Sequence, residues 1–168
     1  MFDPLSCRDF YAMLVEDFDD FMAERHSARR AWHCAITAYH LHEWVWGDWL
    51  KGNQPMRDTL KTNSREEFLR WIESHCVWFT YIQQLAIGAK HFVRVPGSQP
   101  IHVGYGQGAY GLGHYGCGYL LLDLGEGAGD ERWQMAANYL EVVVRFWRDF
   151  FREYLTDPNL PVSKHHTD

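Results

Sequence analysis

The segment RRAWHCAITAYHLHEWVWGDWL, Arg29 to Leu50, decides the fold class. Small residues Ala31, Cys34, Ala35 and Ala38 step along it at helical spacings, and Trp32, Ile36, Tyr39 and Trp46 fill the neighbouring stripe. Leu41, Trp44, Val45 and Trp49 extend the pattern. With something apolar on nearly every face, the segment predicts a helix buried on most sides, with the rest of the chain packed around it.

Outward from that helix the pattern repeats. Phe10, Leu14, Phe18 and Phe21 mark the inner face of a first helix over about residues 6–25, opposite the acidic run Glu16, Asp17, Asp19, Asp20 and Glu24, which reads as a solvated face. The central helix runs on to about Lys51, where Gly52 and Pro55 stop it, and a short helical turn fits Met56 to Leu60. Ser64 and Glu67 form a capping box that opens a third long helix, with Phe68, Trp71, Ile72, Phe79, Ile82 and Leu85 on its apolar stripe and Gly88 near its end. The last helix, about Glu131 to Tyr154, steps through Trp133, Ala137, Leu140, Val144, Trp147, Phe151 and Tyr154.

Between the third and fourth long helices the composition changes. Seven glycines lie between Gly104 and Gly118, interleaved with Tyr105, Tyr110, His114 and Tyr115. Ile101–Val103 before them and Tyr119–Leu124 after them fit strands, so the segment reads as a β-hairpin with a glycine-rich tip. The expected fold is therefore mainly α, a bundle of four long helices with a small glycine-rich β-hairpin between helices three and four. Residues 1–156 form a single helical domain, with the hairpin inserted at about 100–124, and 157–168 form a polar tail.

Bulk properties narrow the function. A chain of 168 residues, 46% hydrophobic and 16% aromatic, is not disordered. A net charge of −6 argues against a general nucleic-acid coat, although a local basic patch remains compatible with it. The start of the sequence lacks a basic region followed by an apolar run, no stretch is apolar enough to span a membrane, and Cys7, Cys34, Cys76 and Cys117 form no CxxC pair. A cytoplasmic protein with reduced thiols is the expectation.

Candidate chemistry is sparse. His40 and Glu43, three residues apart, can face one ligand, but no second ExxH or HxxE pair appears on the other long helices, so no metal and no cofactor are expected. Read alone, His40 is a hydrogen-bonded histidine between packed helices, and His42, about 200° round the helix from it, is exposed. Gly106 to Gly111 satisfies GxGxxG, yet more glycines follow where a dinucleotide site needs a helix, so a flexible tip or a partner-binding loop presenting Tyr105 and Tyr110 is the reading. Lys90, His91 and Arg94 form a basic patch after the third helix; if His40 and Glu43 lie near that end, His40, Glu43, Lys90 and His91 define a polar pocket, and a solvated loop with Phe92 beneath it is the alternative.

The layout, with the aromatic helix HLHEWVWGDW, a helix ending in IGAKHF and a final helix carrying RFWRDFF, resembles the HEPN superfamily of bacterial helical bundles over roughly Arg29 to Tyr154. The resemblance implies a homodimer in a toxin–antitoxin or phage-defence system, with RNA or an antitoxin-type protein as partner. It also implies a metal-independent ribonuclease with an Arg-x4–6-His motif. Arg70 to His75 matches that spacing, with Trp71 where the family carries a polar residue. In that role His75 would exchange a proton at the ribose and Arg70 would stabilise phosphate charge, with His91 as a further candidate. On the residues alone, His75 lies on the apolar stripe and reads as a core histidine. The alternative function is a non-catalytic oligomerising or partner-binding protein that uses its aromatic surface and the Tyr/Gly loop.

Overall fold

The computed structural model describes residues 6–91, 99–103, 119–123 and 133–165. It is mainly helical with a small antiparallel sheet. Helix α1 spans Cys7–Ala23 and α2 spans Ala28–Trp44, which continues without a break as a π-helical turn, Val45–Leu50. The short α3 (Gln54–Leu60) is followed by α4 (Arg65–His75) and α5 (Phe79–His91). Strands β1 (Gln99–Val103), β2 (Tyr119–Asp123) and β3 (Trp133–Met135) precede α6 (Ala136–Phe150), which also ends in a π-helical turn, Phe151–Leu155.

Helix starts follow cap chemistry. Ser6, Ser27, Asn53 and Ser64 each accept a hydrogen bond from a backbone N–H in the first turn of the helix they precede. Packing then sets the order. Phe10 stacks on Trp44 at 5.1 Å, Thr37 donates to Asp17 at 2.6 Å, and Arg30 donates to the Asp20 carbonyl, so α1 and α2 run antiparallel. The two acids of the N-terminal run expected to be merely solvated therefore serve differently: Asp17 ties α1 to α2, and Asp19 accepts from Ser163.

The core lies between α1, α2, α5 and α6. Its largest members, Tyr11, Phe18, Phe21, Phe79, Tyr139, Trp147 and Phe151, are fully enclosed. Trp147 adds a directional contact, donating its indole N–H to the Ala38 carbonyl at 3.0 Å. The small residues Ala31, Cys34, Ala35 and Ala38 are buried, which lets neighbouring helices approach α2 closely. Cys7, Cys34 and Cys76 are free, buried thiols.

Three features depart from the sequence reading. The single third helix is two, because Cys76 leaves helical geometry at φ −137°, ψ 86°. There it ends α4, its N–H donating to the Ile72 carbonyl at 2.7 Å, while its carbonyl accepts from the Phe79 N–H at 2.8 Å at the start of α5. The last helix starts at Ala136 instead of Glu131, because Trp133–Met135 pairs antiparallel with β2 (Asp123↔Trp133, Leu121↔Met135). The sheet order is β1-β2-β3, with Gln99 opposite Asp123 and Val103 opposite Tyr119. The glycine-rich segment 104–118 lies outside the described residues.

The third departure is at the end. Arg8 pairs with Asp157 at 2.7 Å and donates to the Asn159 carbonyl, and Ser163, itself buried, donates to Asp19 at 2.5 Å. Residues 157–164 thus lie along the outside of α1, with Leu160 packed on the core.

Candidate functional site

The last turn of α2 and the π-helical turn beyond it gather the most chemistry. An α-helix closes its bonds over four residues; here Lys51 N–H reaches back five, to the Trp46 carbonyl, at 2.8 Å. Residues five apart sit about 140° apart on an α-helix, and a π turn brings them toward one side. Glu43 and Asp48 therefore line one shallow depression, of about 410 Å³, together with Trp44 and Gly47.

Each of these groups is fixed by a neighbour. Glu43 accepts from His40 Nδ1–H at 3.0 Å and from Arg65 Nη1 at 3.2 Å. Partial burial pushes the Glu43 pKa up, but the His40 hydrogen bond and the neighbouring Arg65 guanidinium outweigh it, so the carboxyl lies below its ordinary value. Asp48 accepts the Cys7 backbone N–H at 2.8 Å, placing a carboxylate at the N-terminus of α1, where the helix dipole favours it. Burial, followed by the Asp48 carboxylate, pushes the Cys7 thiol up to about 12, so it stays protonated. Trp44 is held by its stacking on Phe10. At Gly47 a Cβ would meet nothing within 4 Å, so the space above it is open.

His42, on the same helix, faces α5. It is 2% exposed, not exposed as expected, and it packs against Tyr39 and Phe79 while its Nδ1–H donates to the Tyr39 carbonyl. Desolvation lowers its pKa, so it is held neutral. His40, half-buried, is oriented by Glu43, and no hydrogen bond uses its Nε2 among the described residues.

The other predicted residues lie elsewhere. Arg70 and His75 are both exposed on α4, and no hydrogen bond or ion pair joins them. His75 is not in the core: its ring stacks on Trp71 at 4.1 Å and its Nδ1 bonds to the Trp71 carbonyl at 2.7 Å and to Ser74 Oγ at 3.0 Å. Phe79 lies against His42 and Tyr39, and Gln83 reaches the Tyr39 hydroxyl, so α5 proceeds toward the amino-terminal half of α2. The side chains of Lys90 and His91, at the end of α5, lie outside the described residues. Arg94, Tyr105 and Tyr110 lie outside the described residues. The sequence reading missed Arg65, Trp44, Gly47 and Asp48; the dense W-x-W-G-D-W composition was the available signal.

Among the described residues, no group of three or more His, Cys, Asp or Glu side chains converges as a metal site, and no helix is long and apolar enough to cross a membrane. Compared with family models, curated proteins and solved structures, the chain matches none.

Proposed function

We propose that this chain is a non-catalytic, partner-binding helical protein of the cytoplasm, with its contact site at the end of α2. One observation carries this reading. Two pinned carboxylates, Glu43 and Asp48, line one open surface depression together with a tryptophan and an unobstructed glycine. Fixed groups lose little freedom on contact, which favours recognition. The test is selection from a displayed random-peptide library on the purified wild-type chain and on Gly47→Trp. Peptides enriched on wild type and lost on the variant support the reading; no enrichment sinks it.

A second reading keeps the HEPN-like ribonuclease of a defence system, acting as a homodimer, and moves its chemistry to His40. It is favoured by the His40 ring, which Glu43 orients with Nε2 unused, beside the cationic Arg65. A proton-exchanging group and a cation are what phosphodiester cleavage by the ribose hydroxyl requires. Cleavage of a fluorogenic RNA by wild type, abolished in His40→Ala and kept in His75→Ala and His91→Ala, would replace the first reading with this one.

A further inference from the structure

We infer that the depression formed by Glu43, Trp44, Gly47 and Asp48 receives a basic side chain, lysine or arginine, from the partner polypeptide. This inference rests on the partner-binding reading and names the chemistry of its site. The lining is mainly apolar, and two of its four residues, Glu43 and Asp48, carry carboxylates. An alkyl stem ending in a cation matches that division, since its methylenes cover apolar surface while the charge stays at the rim. Trp44 supplies the ring that attracts a cation, and its stacking on Phe10 keeps it in place. The open space above Gly47 admits the stem. The net charge of −6 draws a basic segment toward the chain before contact.

The fold already contains an internal example of the contact. Arg65, whose side chain is 50% exposed, reaches from α4 to place its guanidinium on Glu43. It is a competitor for the same carboxylate, and exposure makes it a displaceable one. Its removal therefore has a sign that distinguishes a cationic occupant from an apolar or anionic one. With Arg65 gone, a cation gains a freer Glu43, whereas an anion loses the Arg65 guanidinium.

The experiment titrates the ¹⁵N-labelled full chain with three capped pentapeptides, Gly-Gly-X-Gly-Gly, in which X is lysine, norleucine or glutamate. The Gly47 amide and the Trp44 indole N–H report. Saturable shifts of both with the lysine peptide are expected, at least threefold weaker with norleucine and absent with glutamate. Glu43→Gln and Asp48→Asn, which keep an acceptor for their present donors, should each weaken the lysine peptide severalfold. Arg65→Gln should strengthen it. Gly47→Leu, which fills the depression without a clash at Cβ, should abolish the shifts while the remaining spectrum stays that of the folded chain. Equal shifts with norleucine and lysine would overturn the inference, as would a weaker lysine complex in Arg65→Gln. Shifts centred instead on the exposed acids Glu16 and Asp20 of α1 and Glu24 just after it would also overturn it. If the library yields partners without basic residues, this inference falls and the partner-binding reading stands; if the library yields none, the reading itself falls.

Discussion

Lowering the pH below about 6.5 should weaken this fold through one residue, His42. The ring is 2% exposed, lies 4.8 Å from Tyr39 and 6.3 Å from Phe79, and spends its Nδ1–H on the Tyr39 carbonyl. Desolvation, the largest effect on it, lowers its folded pKa below the unfolded value of 6.5; the Tyr39 hydrogen bond and Glu43 oppose that, and Arg65 and His40 add to it. Above pH 6.5 neither state binds the proton and nothing is lost. Below it the unfolded chain takes up a proton that the folded chain refuses, and stability declines by up to about 1.4 kcal/mol per pH unit until the depressed folded pKa is reached. Glu43 acts in a separate window: its folded pKa lies below 4.5, so its contribution is present above that value and is lost as pH falls further. Urea unfolding of wild type and His42→Leu at pH 7.5, 6.5 and 5.5 isolates the histidine. Whatever the stability of the variant at pH 7.5, its decline between pH 6.5 and 5.5 should be shallower than that of wild type. Parallel declines would refute the assignment of a buried neutral histidine.

Three further outcomes are expected. Trp147→Phe removes the indole donor to Ala38 and part of a fully buried ring, and should cost about 1–3 kcal/mol by denaturant titration. Thr156 ends the chain's last helical stretch at φ 49°, a left-handed conformation that costs a β-branched residue roughly 1–2 kcal/mol, so Thr156→Gly should raise Tm by about 2–4 °C. Ser163→Ala removes the hydroxyl donated to Asp19 and should speed amide hydrogen exchange across residues 157–165 while leaving α2 unchanged.

How much was legible depends on which physical signal each feature leaves in the chain. The helix from Ala136 onward and the central helix carry long apolar periodicities, and both are present. The break at Cys76 was hidden because Ile72 and Phe79 are seven apart, a spacing that suits one continuous helix as well as two. Cysteine is also not among the residues that advertise a helix cap. Trp133 fits either the four-residue step to Ala137 or a strand beside Asp123, and only the free edge of β2 decides between them. His42 was misplaced because α2 is covered on several sides, and a polar residue does not announce which side α5 will cover. The site was least legible. Glu43 and Asp48 fall on different faces of an α-helix, and the π turn that brings them together leaves no residue-type signature. The pair Arg70 and His75 is a spacing match five residues apart on one helix, about 140° round it, and no hydrogen bond or ion pair joins the two among the described residues.

The segment laid along α1 sets an order of assembly. Asp19 and Ser163 are 144 residues apart in sequence, and Arg8 waits for Asp157 and Asn159 across a comparable span. During synthesis α1 and α2 can pair as soon as both have emerged, while the outer face of α1 stays bare until the final helix has been made and has packed. For that interval the growing chain presents an uncovered surface, which residues 157–164 then close over.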